Sequence, residues 1–357
     1  MNKKDTMKND GIYGMLPRED MCKSARKLRG VYQIKANAPI FQREFGYYCL
    51  EKWKEKEGMP DDVPLAELFG FDEPGDYHMH GLGWCEAAFE PAFEEKIIED
   101  RGAHEVVQDT AGRHVLYFKG RRQGFMPEYL DHPVKDMQTW EENCKWRLNP
   151  ETPERYQNLE QEMEKAVAAA KEGKIISQNV VGGYMYLRSL IGPEDLLYKF
   201  YDDPELIHEC MQTWLKLADT VTARHQQYVT IDQFFIGEDI CFNNGPLISP
   251  DMIKEFLFPY YQQLITNIKN RQLDQDRHLY FHVDTDGDAV PVIPLYQEIG
   301  MDVMSPFEVA SGCDVVTIGQ QYPDLVMFGG IDKRILAQGK KAIDKHLDYI
   351  LPAMKKR

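Results

Sequence analysis

Three short apolar runs end in ionisable residues and a fourth leads into them, and chemistry is expected at those ends. The run LYFHVD (279–284) alternates Leu279, Phe281 and Val283 with Tyr280, His282 and Asp284. Successive side chains of an extended strand point to opposite faces. One face is therefore apolar, and the other carries a phenol, an imidazole and a carboxylate. The run DQFFIGE (232–238) ends in Glu238 with Asp239 next, and DVMSPFE (302–308) ends in Glu308. Asp332, Lys333 and Arg334 follow LVMFGG (325–330). Such groups converging on one place are costly unless they pair with each other, bind a cation or bind substrate.

Glu238, His282 and Glu308 are the expected ligands of a divalent metal, with zinc the first candidate. Asp239 and Asp284 are the expected proton donor and acceptor. Tyr280, Asn243, Lys333 and Arg334 are expected to bind substrate, the two cations through a substrate carboxylate. Each assignment has a structural alternative. Asp332 also reads as a helix N-cap, Glu308 as an ion-pair partner of Lys333 or Arg334, and Asp286 and Asp288 as turn residues.

The elements that must position these groups are regular from residue 174 onward. Strands at 175–181, 232–238, 279–284, 302–308 and 325–330 alternate with amphipathic helices near 194–201, 204–229, 250–272, 288–299, 312–321 and 333–351. This rhythm predicts a parallel sheet. No Gly-x-Gly-x-x-Gly opens a helix, which argues against a dinucleotide fold. The expected fold class is α/β, a TIM-type (β/α)8 barrel with its site at the carboxyl ends of the strands. Two further strands are expected near 36–41 and 78–84, so the count reaches seven and the eighth strand is expected to be lacking. Residues 1–60 read as an N-terminal helical extension, with a helix over 43–57. Residues 61–357 read as the barrel, with a β-hairpin insertion near 104–120 around Asp109-Thr110-Ala111-Gly112. The loop 239–250 ends in Ser249-Pro250, an N-cap followed by the favoured first helical residue.

Composition narrows the class. With 42 basic and 58 acidic residues the net charge is −16, and no basic stripe is present, so nucleic acid and anionic membrane are excluded as partners. The seven cysteines are odd in number and form no CxxC pair, against a disulfide framework and for a reducing, cytoplasmic setting. Neither a signal-peptide h-region nor an apolar run of about 18 residues is visible.

Together the motifs GEDICFNNGPLISPDMIKEFLFPYY, HVDTDGD, SPFEVASGCDV and FGGIDKRILAQG, with REFGY, EKEGMP and DHPVKDMQTWEE upstream, resemble the uroporphyrinogen decarboxylase superfamily from about residue 43 to the end. The resemblance implies one of two activities: cofactor-free decarboxylation of a porphyrinogen-like acid, or methyl transfer involving a corrinoid protein and zinc. The decarboxylases' early Arg-Gln-Ala-Gly-Arg motif has no counterpart here. The methyltransferases' His-x-Cys zinc pair is matched at His282, but Asp284 stands at the cysteine position, and Cys313 is not at the position of the later cysteine ligand. An oxygen-rich metal shell is implied. The expected function is methyl transfer from a small O- or N-methyl substrate to a corrinoid on a partner protein. A decarboxylase and a non-catalytic ligand-binding barrel are the alternatives, and a second copy of the chain is a further candidate partner.

Overall fold

Six short runs rich in Ile, Val, Phe and Met form the central sheet: β1 (Asp76–His78), β2 (Ile175–Val181), β3 (Gln233–Gly237), β4 (Tyr280–Asp284), β5 (Met301–Ser305) and β6 (Val326–Met327). They pair in parallel and in sequence order. The computed structural model describes residues 19–34, 37, 39–43, 50–122 and 126–357. Helices Gly183–Ile191, Asp195–Asp202 and Pro204–His225 connect β2 to β3, and Pro250–Phe256 and Phe258–Arg271 connect β3 to β4. Ile293–Glu298 and Val315–Gln321 make the next two crossovers, and Lys340–Met354 follows β6. This is the TIM-type barrel that the strand–helix rhythm predicts.

The two faces of the sheet have different partners. Ile176, Val180, Phe234, Ile236, Phe281, Val283 and Met304 pack into the core shared with the helices. Ile175, Tyr280, Val303 and Val326 point the other way, into the barrel, and meet Leu28 and Tyr32. The helix Lys23–Tyr32 thus plugs the amino-terminal end of the barrel. It is pinned there by Arg29, whose Nε donates to the Gly173 carbonyl (2.6 Å) and whose guanidinium pairs with the buried Asp232 (3.4 Å).

Several boundaries differ from those read in the sequence. β3 and β5 end at Gly237 and Ser305, earlier than expected. Pro306 has no N–H with which to extend the ladder past Ser305. The strand expected near 78–84 lies at 76–78, with one further bridge from Leu82 to Val180. Of the strand expected at 36–41, residues 37 and 39–41 are not in a strand, and 36 and 38 lie outside the described residues. The helix expected over 43–57 is present at Leu50–Glu57, with 44–49 outside the described residues. Among the described residues β1 and β6 are not paired with each other. Arg43 crosses that seam, donating to Asp76 on β1 (2.5 Å) while its guanidinium lies 5.8 Å from the Phe328 ring just past β6.

Residues 104–108 and 114–118 form a hairpin within a larger four-stranded antiparallel sheet, completed by Lys96–Arg101 and Glu128–Asp131. Asp109 closes its turn, accepting from the N–H groups of Ala111 and Arg113. No helix among the described residues is long and apolar enough to cross a membrane.

Candidate active site

The alternation of β4 sets three depths in the barrel. Tyr280, at the bottom, packs edge-on against Tyr32 (5.0 Å between ring centroids) in the layer closed by the N-terminal helix. This corrects its expected role in substrate binding: it belongs to the barrel floor, because it starts the strand whose far end forms the rim. His282 is one level up, wedged edge-on against Phe235 (4.8 Å) and stacked on Phe328 (5.8 Å), with 4% of its surface exposed. Asp284 is at the mouth, level with Ser305 of β5.

The hydrogen bonds fix the state of His282. Ser305 donates its hydroxyl proton to the Asp284 carboxylate. Its oxygen, 2.8 Å from His282 Nε2, is left to accept, so Nε2 carries the proton. Nδ1 is then a bare lone pair, and this buried atom has no hydrogen-bond partner in the protein. Burial, with the positive charges of Arg43 and His78 nearby, pushes the imidazole down to about 3. His282 is a neutral base with its acceptor nitrogen uncommitted.

Around the mouth lie four carboxylates. Thr285, fully buried, accepts from the N–H groups of Ile240 (3.1 Å) and Cys241 (3.2 Å) and so ties the loop after β3 to β4. That loop turns through Asp239 at φ 45, a left-handed conformation that Asp tolerates better than most residues. Asp239 pairs with Arg188 at 2.5 Å. Asp286 stands at the rim with its surface partly open, and partial desolvation of its carboxyl by the surrounding rim, together with the charges of Glu308, Asp239 and Asp284, pushes it up to about 6. Asp284 is also raised, by burial and by Asp239. Glu308 is instead held down by Lys333, which donates to it, and it accepts from the Gly287 N–H (3.2 Å). Asn243 lies on the same rim and accepts from the Ser311 hydroxyl (3.2 Å). Trp84, 49% exposed, stacks flat on Phe235 (5.7 Å, 5°) and forms an aromatic wall above His282.

The metal shell expected of Glu238, His282 and Glu308 is not assembled. Glu238 shares the β3 face of Phe234 and Ile236 and so turns away from the barrel, toward the helices. It is 0% exposed and accepts from the Tyr261 hydroxyl (2.5 Å) and the Tyr184 N–H (3.2 Å) at the start of helix Gly183–Ile191. A Cβ on Gly182 would come within 2.2 Å of its Oε2, so glycine is what lets the carboxylate reach the helix end. Glu308 is taken by Lys333 and Gly287. Among the described residues no three His, Cys, Asp or Glu side chains are grouped to hold a metal ion. The residues present do not fit the expected zinc, and His282 Nδ1 is a lone donor atom. The expected carboxylate site at Lys333 and Arg334 is also committed elsewhere: Lys333 to Glu308, and Arg334 to Asp332 (2.8 Å), which caps the helix Lys333–Leu336.

Reading the sequence missed Asp286, taken as a turn residue, and Ser305, whose signal was available: it follows Val303 by two and faces the same way. It also missed His78 and Asp76, which with Arg43, one of the arginines a decarboxylase would need in the mouth, form the barrel wall opposite β4.

The comparisons with known proteins can be set on this geometry. The family model for uroporphyrinogen decarboxylase (URO-D) matches residues 129–357, more than half of the chain. The chain belongs to the uroporphyrinogen decarboxylase family. The resemblance read from the motifs is thereby borne out at the level of family. The URO-D match spans β2 to β6, and therefore every mouth carboxylate described above; β1, with His78, and Trp84 lie before it. Among solved structures, a methyltransferase from Methanosarcina mazei is similar at 12% identity, over 64% of this chain and 73% of that one, with a TM-score of 0.39. A likeness at that level carries no functional weight. The comparison with curated proteins gives no match.

Proposed function

We propose that this URO-D-family protein is an enzyme that removes a methyl group from the oxygen or nitrogen of a small substrate and passes it to a corrinoid carried by a partner protein. The observation that carries this reading is the mouth itself: Asp286, crowded by Asp239, Asp284 and Glu308 and pushed up to about 6, above the neutral His282 with its unpartnered Nδ1. When a methyl group leaves as a cation equivalent, its bonding electron pair stays on the departing oxygen or nitrogen, which must then take up a proton. A carboxyl poised near neutrality at the rim is suited to give that proton. His282 Nδ1 can accept a hydrogen bond from an O–H or N–H of the substrate and so orient it beneath the mouth. Arg188 holds Asp239, and Ser305 holds Asp284, so that neither competes for the substrate's position.

The same mouth speaks against decarboxylation of a porphyrinogen-like poly-acid, whose several carboxylates would meet four of the protein's own. That reading needs free arginines in the barrel mouth, from among Arg43, Arg113, Arg121, Arg122 and Arg188. Arg113 pairs with Asp109 and Arg122 with Glu105 and Glu95 on the antiparallel sheet, while Arg188 and Arg43 do reach the barrel but are paired with Asp239 and Asp76.

The test is a panel of O- and N-methyl compounds incubated with the protein and reduced free cobalamin, read by the absorbance of methylcobalamin. Turnover with at least one compound is expected. Asp286→Asn should lower it by about 10²-fold or more, as loss of a general acid does. No methyl transfer across the panel, or full activity of Asp286→Asn, would remove the reading.

A further inference from the structure

The wall opposite His282 holds a second histidine whose partners impose the opposite protonation state. His78 faces the barrel interior from β1, yet its side chain is 39% exposed, so the space it faces is open. Its Nε2 is 3.1 Å from Asp76 Oδ2, and its Nδ1 is 3.2 Å from Asn179 Oδ1.

A relay fixes which atom of the Asn179 amide points at it. Tyr32 donates to Gln233 Oε1, so Gln233 presents its NH₂ to Ser177, donating at 3.1 Å. The Ser177 hydroxyl then donates onward to Asn179 Oδ1 at 2.9 Å. That oxygen is an acceptor, and both ring nitrogens of His78 face acceptors. An imidazole between two acceptors needs both of its protons. Burial opposes the charge, but the hydrogen bond and charge of Asp76 outweigh it and raise the group above the ordinary histidine value. Arg43 opposes it from the segment before β1.

His78 and His282 both face the chamber inside the barrel, His282 the more deeply buried of the two. The walls are continuous from His78 through Asp76 and Arg43 to Phe328, on which His282 is stacked. The charge of His78 is felt at His282. The chamber therefore has a cationic wall at depth, an uncommitted buried acceptor at His282 Nδ1, and an acidic rim.

The geometry points to His78 as a fixed imidazolium that holds the carboxylate end of a small substrate, leaving the methylated end toward the acidic rim. Both N–H groups of His78 are already engaged, so it acts through its charge and its C–H edge rather than by donating a proton. A substrate with one carboxylate satisfies both ends of the chamber, whereas a poly-acid would press its remaining charges on the rim. This assignment rests on the chamber being the reaction site.

The test reads the full chain with ¹⁵N-labelled histidine rings by NMR. Near neutral pH, both nitrogens of His78 should read as protonated, while His282 reads as the neutral Nε2–H tautomer. Methoxyacetate, titrated as the probe, should shift the signals of both histidines saturably, and the isosteric methoxyacetamide should not. Asn179→Leu, which removes the Nδ1 acceptor, should lower the pH at which His78 titrates and weaken methoxyacetate binding by about tenfold or more. A neutral His78 in the unaltered protein overturns the proposal, as do equal shifts from the acid and the amide; neither readout depends on a variant folding. If methyl transfer fails while the acid alone is bound, the reaction is wrong but the carboxylate site stands.

Discussion

Two buried ionisable groups on adjacent strands do opposite jobs, and the difference comes from which side of the sheet each faces. His282 faces the barrel and keeps a free acceptor; Glu238 faces the helices and is consumed by Tyr261 and Tyr184. Burial pushes Glu238 up to about 7, over the opposing hydrogen bonds. An acid whose folded value lies above its unfolded one is favoured by folding when protonated. Its stabilising contribution is full below about pH 4.5, and it is lost as pH rises through about 7. Glu238→Gln should therefore flatten the fall in stability between those limits, by ~3 kcal/mol at most. Urea unfolding of both proteins at several pH values measures this. Equal pH slopes would show that Glu238 is not protonated in the fold.

At the level of elements, the site depends on two loops that close on each other. The segment after β5 carries Glu308, and the segment after β6 carries Lys333. They are joined where the Gly330 N–H donates to the Pro306 carbonyl (2.9 Å). A Cβ on Gly329 would lie 1.9 Å from that same oxygen, and its φ of 104 also excludes ordinary side chains. Gly329→Ala should cost about 2–3 kcal/mol and should loosen the Glu308–Lys333 pair, so activity falls with stability. Chemical denaturation alongside the methyl-transfer assay checks both. An alanine variant of unchanged stability would mean that the loops do not need this approach.

Across the whole molecule, the barrel floor and the interior wall at His78 share one set of side chains. The helix Lys23–Tyr32 supplies both the plug, through Leu28 and Tyr32, and the first donor of the relay that ends at His78. Arg29 anchors that helix to Asp232, which also accepts from Arg277 (3.2 Å) and from the Ile176 N–H (2.9 Å). Arg29→Ala leaves a buried carboxylate short of one partner and a carbonyl without its donor, and should destabilise the fold by about 3 kcal/mol. It should also disturb the His78 ring signals, because Tyr32 on the same helix is the first donor of the relay. Loss of stability without any change at His78 would separate the floor from the chamber.

The amino-acid sequence by itself determined the parallel strand–helix rhythm, the family and the inward face of β4, because LYFHVD has apolar residues on one side only and so reveals its phase. It could not set the phase of β3, where Phe234, Phe235 and Ile236 are buried on both faces and the alternation carries no sign; Glu238 was misplaced for that reason. Nor could it show that Pro306 ends β5 before Glu308, or that strand register sets Ser305 beside Asp284. The pairing of His78 with Asn179, and the relay behind it from Tyr32, join residues far apart in the chain. Only the pairing of β1, β2 and β3 side by side and the packing of the N-terminal helix beneath them decide which of them meet, since hydrogen bonds require contact at about 3 Å and linear spacing does not encode it.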